Sequence, residues 1–106
     1  DIAVSLGIIL NDCVANSITF GLNNNTADRI ILINIRKLEK IEITISDNGR
    51  QFPIDVQNAN KDTSFSLWLI KVLVEDQLQG SIDTAYDSGN IWNIRIPYKD
   101  SDFIDS

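Results

Sequence analysis

The segment IEITISDNGRQFP, residues 41–53, places a carboxylate at the end of an apolar strand. Its three isoleucines alternate with polar residues, and Asp47 continues the isoleucine side of the alternation. A charge on a buried face is costly unless it is paired or hydrogen-bonded. Asp-Asn-Gly is also common turn chemistry. The segment therefore indicates either an ordinary turn or a carboxylate that binds a ligand, with Gly49 letting the backbone approach that ligand closely.

A second polar group lies on the first apolar segment. At about 100° per residue, the side chains of Ser5, Asp12, Asn16 and Thr19 fall in one narrow stripe of a helix. Asp12 and Asn16 are four residues apart, so their side chains are neighbours. A carboxylate beside an amide oxygen suits a hard divalent cation and a polarised water. The same stripe is equally typical of a solvated helix edge.

The composition limits the function classes. The chain has 106 residues, of which 43% are hydrophobic, and its formal net charge is −6. These values predict one domain with a real core, and they argue against nucleic acid as a partner because phosphate neutralisation needs a basic face. The sequence contains no histidine, which excludes Ser-His catalysis, Cys-His catalysis and histidine metal sites within these residues.

Cys13 is the single cysteine, which excludes an internal disulfide and fits a reducing, cytoplasmic location. Its position in an apolar helix predicts a small buried hydrophobe rather than a reactive thiol. The sequence has no methionine, so we expect it to be part of a longer chain. No apolar run approaches the roughly 20 residues that span a bilayer, so we expect any membrane attachment to come from other parts of that chain.

Hydrophobic periodicity predicts the order helix, two strands, helix, two strands. The predicted elements are a helix over residues 3–20, an antiparallel hairpin of strands over 30–36 and 40–46, a loop over 47–64, a helix over 64–78, and a second hairpin over 81–86 and 90–98. The first helix is apolar on nearly every face and is expected to be well buried. The order predicts an α+β two-layer sandwich, with a mixed or antiparallel sheet and both helices on one face. Residues 1–98 are expected to form the domain, and residues 99–106 an acidic flexible tail.

Four stretches, in order, resemble the boxes of the catalytic, ATP-binding domain of sensor histidine kinases. They are LGIILNDCVANSITFGL for the N box, ITISDNGRQFP for the first glycine box, SFSLWLIKVLVEDQLQGSI for the second glycine box and its helix, and GNIWNIRIPY for the closing strand. The resemblance covers almost the whole chain and implies the histidine kinase-type ATPase fold, which gyrase, Hsp90 and MutL share. The family usually has a strand before the N-box helix, so the chain resembles a copy truncated at its N-terminus. The short gap between the glycine boxes resembles the subgroup with an abbreviated lid over the nucleotide.

The resemblance implies roles for individual residues. Asn16 stands at the position of the family's magnesium-chelating asparagine, and Asp12 at the acidic position, usually glutamate, that helps to orient the reaction. Asp47 matches the aspartate that recognises the adenine amino group, and Gly49 matches its companion glycine. The carboxylate at the end of the isoleucine strand would then be there to recognise adenine.

The phosphate-binding side departs from the family pattern. Gln51 replaces the second glycine of the first box, Ser66 and Leu67 replace the Gly-Leu at the start of the second helix, and Thr19 stands where a basic residue is often found. A glutamine at positive φ would cost about 1 kcal/mol or more. A serine with negative φ still lets phosphates approach the N–H groups of the helix. Leu67 and Ile70 are expected in the core under the nucleotide.

Two functions from different classes follow from the resemblance. The first is the ATP- and Mg²⁺-binding domain of a two-component sensor histidine kinase, which presents Mg-ATP for phosphoryl transfer to a histidine on a separate helical domain. Its partners would be that phosphoacceptor domain and a response regulator, and it would form a homodimer through helices that lie outside this sequence. The alternative is the degenerate domain of a histidine phosphotransferase, which does not bind ATP and docks other proteins. An unrelated α+β domain is the third interpretation.

Overall fold

Two helices pack on one face of a four-stranded sheet in the computed structural model, which describes residues 2–21 and 30–99. The elements are helix α1 at Ile2–Asn16, strands β1 at Ile31–Lys37 and β2 at Ile41–Asp47, helix α2 at Phe65–Val72, and strands β3 at Ser81–Tyr86 and β4 at Asn90–Ile96. A wider π-helical turn extends each helix, Ser17–Gly21 after α1 and Leu73–Gln77 after α2. The predicted order and the α+β two-layer sandwich are confirmed.

The sheet is antiparallel throughout, with the strand order β1-β2-β4-β3. Ile43 pairs with Ile94 and Ile45 with Trp92, so the two central strands present one continuous apolar face to the helices. The opposite face is polar, as predicted, and carries Glu42, Thr44, Asp83, Asn93 and Arg95. This alternation places Asp47 on the helix side of the sheet because its parity is that of the buried isoleucines.

The core lies between the helices and the central strands. Helix α1 contributes Ile9 and Cys13, while the second helix contributes Leu67, Ile70 and Val74. Burial raises the pKa of the Cys13 thiol, and the negative charge of Asp12 raises this pKa further. Cys13 is therefore a buried apolar residue and not a reactive thiol, as its sequence position predicts.

The prediction that the first helix is well buried is wrong. Val4 and Ile8 are 60% and 45% exposed, on the side of α1 opposite the buried Ile9 and Cys13. Ile18, in the turn that follows α1, is 53% exposed. The run Ile2–Thr19 has a mean hydropathy of 1.5 and is long and apolar enough to cross a membrane by length and composition alone, contrary to the expectation from the sequence. The core helix of a globular domain meets the same criterion, and α1 packs Ile9 and Cys13 into the core.

The segment 47–64 contains no long element, as predicted, but it contributes to the core. Phe52, Val56 and Ala59 are buried, and a short 3₁₀ turn spans Val56–Asn58. The Phe52 ring lies 5.5 Å from the Trp92 ring, measured between centroids. The Val56 amide donates to the Thr84 hydroxyl at 3.1 Å. These contacts attach the loop to strands β3 and β4.

Strand β1 forms one edge of the sheet, and its side chains are largely exposed on both faces. Leu32, on the outer face, is 64% exposed, and Ile33 and Ile35, on the helix side, are also exposed. The predicted tail over 99–106 falls almost wholly outside the described residues, so its flexibility and the domain boundary near residue 98 stay predictions.

Candidate functional site

Asp47 ends strand β2 with its carboxylate buried and its two oxygens unequally engaged. Oδ1 accepts hydrogen bonds from the Gly49 amide at 2.9 Å, the Asn90 amide at 3.2 Å and the Asn90 side-chain Nδ2 at 3.1 Å. Oδ2 has one longer contact, at 3.4 Å, with the same Nδ2. A carboxylate has about four acceptor sites. One oxygen is thus held in place by three donors, while the other keeps most of its capacity to accept a hydrogen bond.

Asn90 is a site residue that the sequence analysis missed. It is 2% exposed and joins three segments. Besides contacting Asp47, its Nδ2 donates to the Arg50 carbonyl, and its Oδ1 accepts from the Phe52 amide at 2.9 Å. Asn90 therefore fixes both the aspartate and the first glycine-box loop. The sequence did contain a signal for it. Asn90 lies two residues before the inward-facing Trp92 on the same strand, so its amide also points inward, where it needs hydrogen-bond partners.

Gly89 precedes Asn90 and allows β4 to approach β2 closely. A Cβ atom at this position would overlap the carbonyl oxygen of Asp47. The sequence Gly89-Asn90 therefore serves two purposes, because the glycine permits the approach and the asparagine makes the hydrogen bonds that the approach allows. Strand β4 therefore positions the Asp47 carboxylate as much as β2 does.

On helix α1, Asn16 is buried and contacts the start of helix α2. Its Nδ2 donates to the Asp12 carbonyl at 2.8 Å and to the Ser66 hydroxyl at 2.7 Å. Both bonds use the nitrogen, so the amide oxygen takes part in neither. The structure thus brings Asn16 and Ser66 together across fifty residues of sequence.

The other residues singled out from the sequence are placed as follows. Asp12 is half-buried, and only its backbone carbonyl contacts Asn16. Thr19 is exposed in the turn that follows α1, and the described residues make no hydrogen bond to its side chain. Leu67 is buried in the core, as predicted. The roles that the resemblance implies for all of these residues, including the place of Leu67 beneath a nucleotide, stay predictions.

Gln51 does not have the strained backbone that was considered for it. Among residues 2–21 and 30–99, the non-glycine residues with positive φ are Gln79 and Ser88. The conformational penalty expected for replacing the second glycine is therefore not incurred at Gln51. The hydrogen bonds of Asn90 to both neighbours of Gln51 define the path of the loop instead.

Neither Asp47 nor Asn16 lines either of two clefts in the described part of the chain. One, of about 290 Å³, lies beside the glycine-box loop and includes Gln51, Phe52, Tyr86 and Asn90. The other, of about 400 Å³, lies on the polar outer face of the sheet around Thr44 and Asn93. The first cleft shares Asn90 with the Asp47 site, whereas the second lies on the opposite side of the sheet.

Asp47 and Asn16 each offer an oxygen of the kind that an adenine amino group and a magnesium ion, respectively, would need. The Oδ2 atom of Asp47 offers an acceptor to an exocyclic amino group. Asn16 offers one amide oxygen, and Mg²⁺ characteristically takes few protein ligands together with water and substrate phosphates. Within the described ranges, no three His, Cys, Asp or Glu side chains form a metal-binding group. The site therefore fits a cation that arrives with its phosphates and not one held by a protein cage.

The fold is that of histidine kinase catalytic domains. The histidine kinase domain of the blue-light-activated kinase EL346 from Erythrobacter litoralis matches with a TM-score of 0.72 and 18% identity, over 88% of this chain and 46% of that one. The catalytic domain of the kinase ThkA matches at 0.69 and 18%, over 89% and 66%. The kinase AdeS from Acinetobacter baumannii matches at 0.64 and 17%, over 88% and 45%.

These likenesses establish the architecture. The chain spans about half to two thirds of the length of these three solved chains. At the level of sequence, no protein-family model matches the chain, and no curated protein does either. The four-box resemblance and the shared fold thus support each other.

Proposed function

We propose that this chain binds ATP with Mg²⁺ as the catalytic domain of a two-component histidine kinase. One observation carries the proposal: in this fold, the carboxylate at the end of β2 lies on the helix side of the sheet with one oxygen held by three donors. Such an acceptor is preorganised for the amino group of adenine. Asn16, at the α1–α2 contact on the same side of the sheet, would supply the cation ligand.

The chemistry required of the domain is positioning. Bound Mg²⁺ would neutralise phosphate charge, and phosphoryl transfer needs little covalent participation from the protein. Asp47 would fix the base, Asn16 would fix the metal end, and the buried Leu67 would pack beneath the nucleotide. Because this sequence contains no histidine, the phosphoacceptor must belong to another domain, which we propose to be helical and dimeric, with a response regulator as the next acceptor.

Saturable binding of a nonhydrolysable ATP analogue in a calorimetric titration with Mg²⁺ is the expected result. Binding of the corresponding GTP analogue should be much weaker. Guanine has a carbonyl where adenine has the amino group, so two acceptors would face each other at Asp47 Oδ2. Absence of heat from ATP in a folded sample, as verified by circular dichroism, would contradict the proposal. Equal affinities for the two analogues would contradict the assignment of Asp47.

A second candidate is the docking module without nucleotide. Two observations favour it: apolar side chains are exposed on α1 and β1, and Asp47 and Asn16 do not line either of the two clefts. If it is right, a partner response regulator binds this chain with the same affinity with and without ATP. An affinity that changes with ATP would favour the kinase domain.

A further inference from the structure

We propose that Ser66 is a positioning residue that orients the Asn16 amide so that its oxygen is presented to the nucleotide-bound cation. This inference rests on the proposed function. Ser66 is the second residue of helix α2, at a place where the resemblance implies glycine. Its hydroxyl oxygen lies 2.7 Å from Asn16 Nδ2. Ser66, which replaces a glycine of the family pattern, is thus in contact with Asn16, the candidate metal ligand.

The direction of the Asn16 amide follows from its neighbours. The atom 2.8 Å from the Asp12 carbonyl oxygen must be the nitrogen, since a carbonyl can only accept. The same nitrogen meets the Ser66 hydroxyl, which therefore accepts. Turning the amide by half a rotation would set its oxygen against the Asp12 carbonyl, so Asp12 determines the direction of the amide. The Ser66 hydroxyl, which can donate or accept, adds a second hydrogen bond that holds the amide in that direction. Both contacts therefore engage the nitrogen and leave the amide oxygen outside them.

The location of the contact suits such a role. Asn16 is buried, whereas Ser66 is exposed, so the bond lies where the α1–α2 contact meets solvent. Ser64, two residues earlier, makes no side-chain hydrogen bond to cap the helix. Ser66 itself lies inside the helix, after the N-cap position, and its hydroxyl contacts Asn16 of the other helix.

The degenerate-domain hypothesis predicts the opposite effect of Ser66→Gly on nucleotide affinity. If Ser66 were a decayed glycine, Ser66→Gly would strengthen nucleotide binding. If Ser66 orients Asn16, both Ser66→Gly and Ser66→Ala weaken the part of the affinity that depends on Mg²⁺. Loss of one neutral hydrogen bond corresponds to about a 3- to 10-fold change.

The test compares the affinity for an ATP analogue with Mg²⁺ and with a chelator in the wild-type chain, Ser66→Ala, Ser66→Gly and the control Ser64→Ala. We expect the ratio of the two affinities to fall about 3- to 10-fold in both Ser66 variants. The affinity measured with chelator should stay within about 2-fold, as should every value for Ser64→Ala. A purely structural role would lower both affinities together and leave their ratio unchanged.

A second readout requires no nucleotide. In two-dimensional NMR spectra of the free chain, the side-chain NH₂ signals of Asn16 should shift in Ser66→Ala and stay in place in Ser64→Ala. Suppose that Mg²⁺ strengthens binding of the analogue to the wild type. If the ratio of the affinities with Mg²⁺ and with chelator is then the same in the Ser66 variants, the role of Ser66 is overturned and the proposed function is not. A wild type that binds no analogue at all would overturn the proposed function and this role with it.

Discussion

Replacing Asn90 by alanine is expected to lower the free energy of unfolding by about 3–5 kcal/mol, since several buried hydrogen bonds are lost together. The buried Phe52 amide would lose its acceptor, and Asp47 and the Arg50 carbonyl would each lose a side-chain donor. Each buried group left unsatisfied costs about 1–3 kcal/mol. Urea denaturation followed by the fluorescence of the buried Trp92 measures the loss.

Asn93→Ala is the matched control for this variant. Asn93 lies on the same strand, three residues on and on the exposed outer face, where its amide donates to Asp83 at 3.1 Å. Its removal should change stability by no more than about 0.5 kcal/mol. Equal losses in the two variants would show that Asn90 does not tie the glycine-box loop to the sheet.

Asp47→Asn is expected to weaken ATP binding by about 30- to 100-fold while leaving the chain folded. The amide has the size of the carboxylate, and its oxygen can still accept from Gly49 and Asn90. Its NH₂ group then takes the place of Oδ2 and meets the amino group of adenine, so two donors face each other. A calorimetric titration with the ATP analogue and Mg²⁺ measures the change.

The control for this prediction must match the change of charge. Asp83→Asn also removes one negative charge, but from the exposed outer face of β3, opposite the helices. ATP affinity in that variant should stay within about 2-fold of the wild type, since screened charges at a distance contribute little. Similar losses in both variants would mean that the net charge of the chain, and not the Asp47 contact, governs binding.

The sequence was sufficient to predict how the carboxylate is placed. Strand alternation has a period of two, so the parity of Asp47 with three buried isoleucines determined its face before any coordinates. The same argument was available for Asn90, which shares its parity with Trp92. Parity shows that a side chain points inward, but it does not identify its partners. The contacts of Asn90 join positions about forty residues apart, which only the pairing of β2 with β4 brings together.

The sequence did not predict which side chains of helix α1 are buried, because burial depends on which other elements cover the helix. Helix α1 is apolar all round, so its periodicity could not show which side faces the sheet. The structure buries the side with Ile9 and Cys13 and leaves Val4 and Ile8 exposed. The contact of Asn16 with Ser66 was equally hidden, because it depends on how the two helices pack. Comparison with the glycine pattern alone indicated only that Ser66 replaces a glycine. It could not reveal the hydrogen bond between Ser66 and Asn16.

The most direct test of the account is to map where an ATP analogue with Mg²⁺ contacts the chain, by following backbone and side-chain amide signals in two-dimensional NMR spectra. The account predicts the largest shifts at Gly49, Asn90, Asn16 and Ser66, with Thr44 and Asn93 on the outer face unchanged. Shifts that leave Gly49 and Asn90 unaffected, or that concentrate on the outer face, would contradict the claim that Asp47 and Asn16 bind one nucleotide.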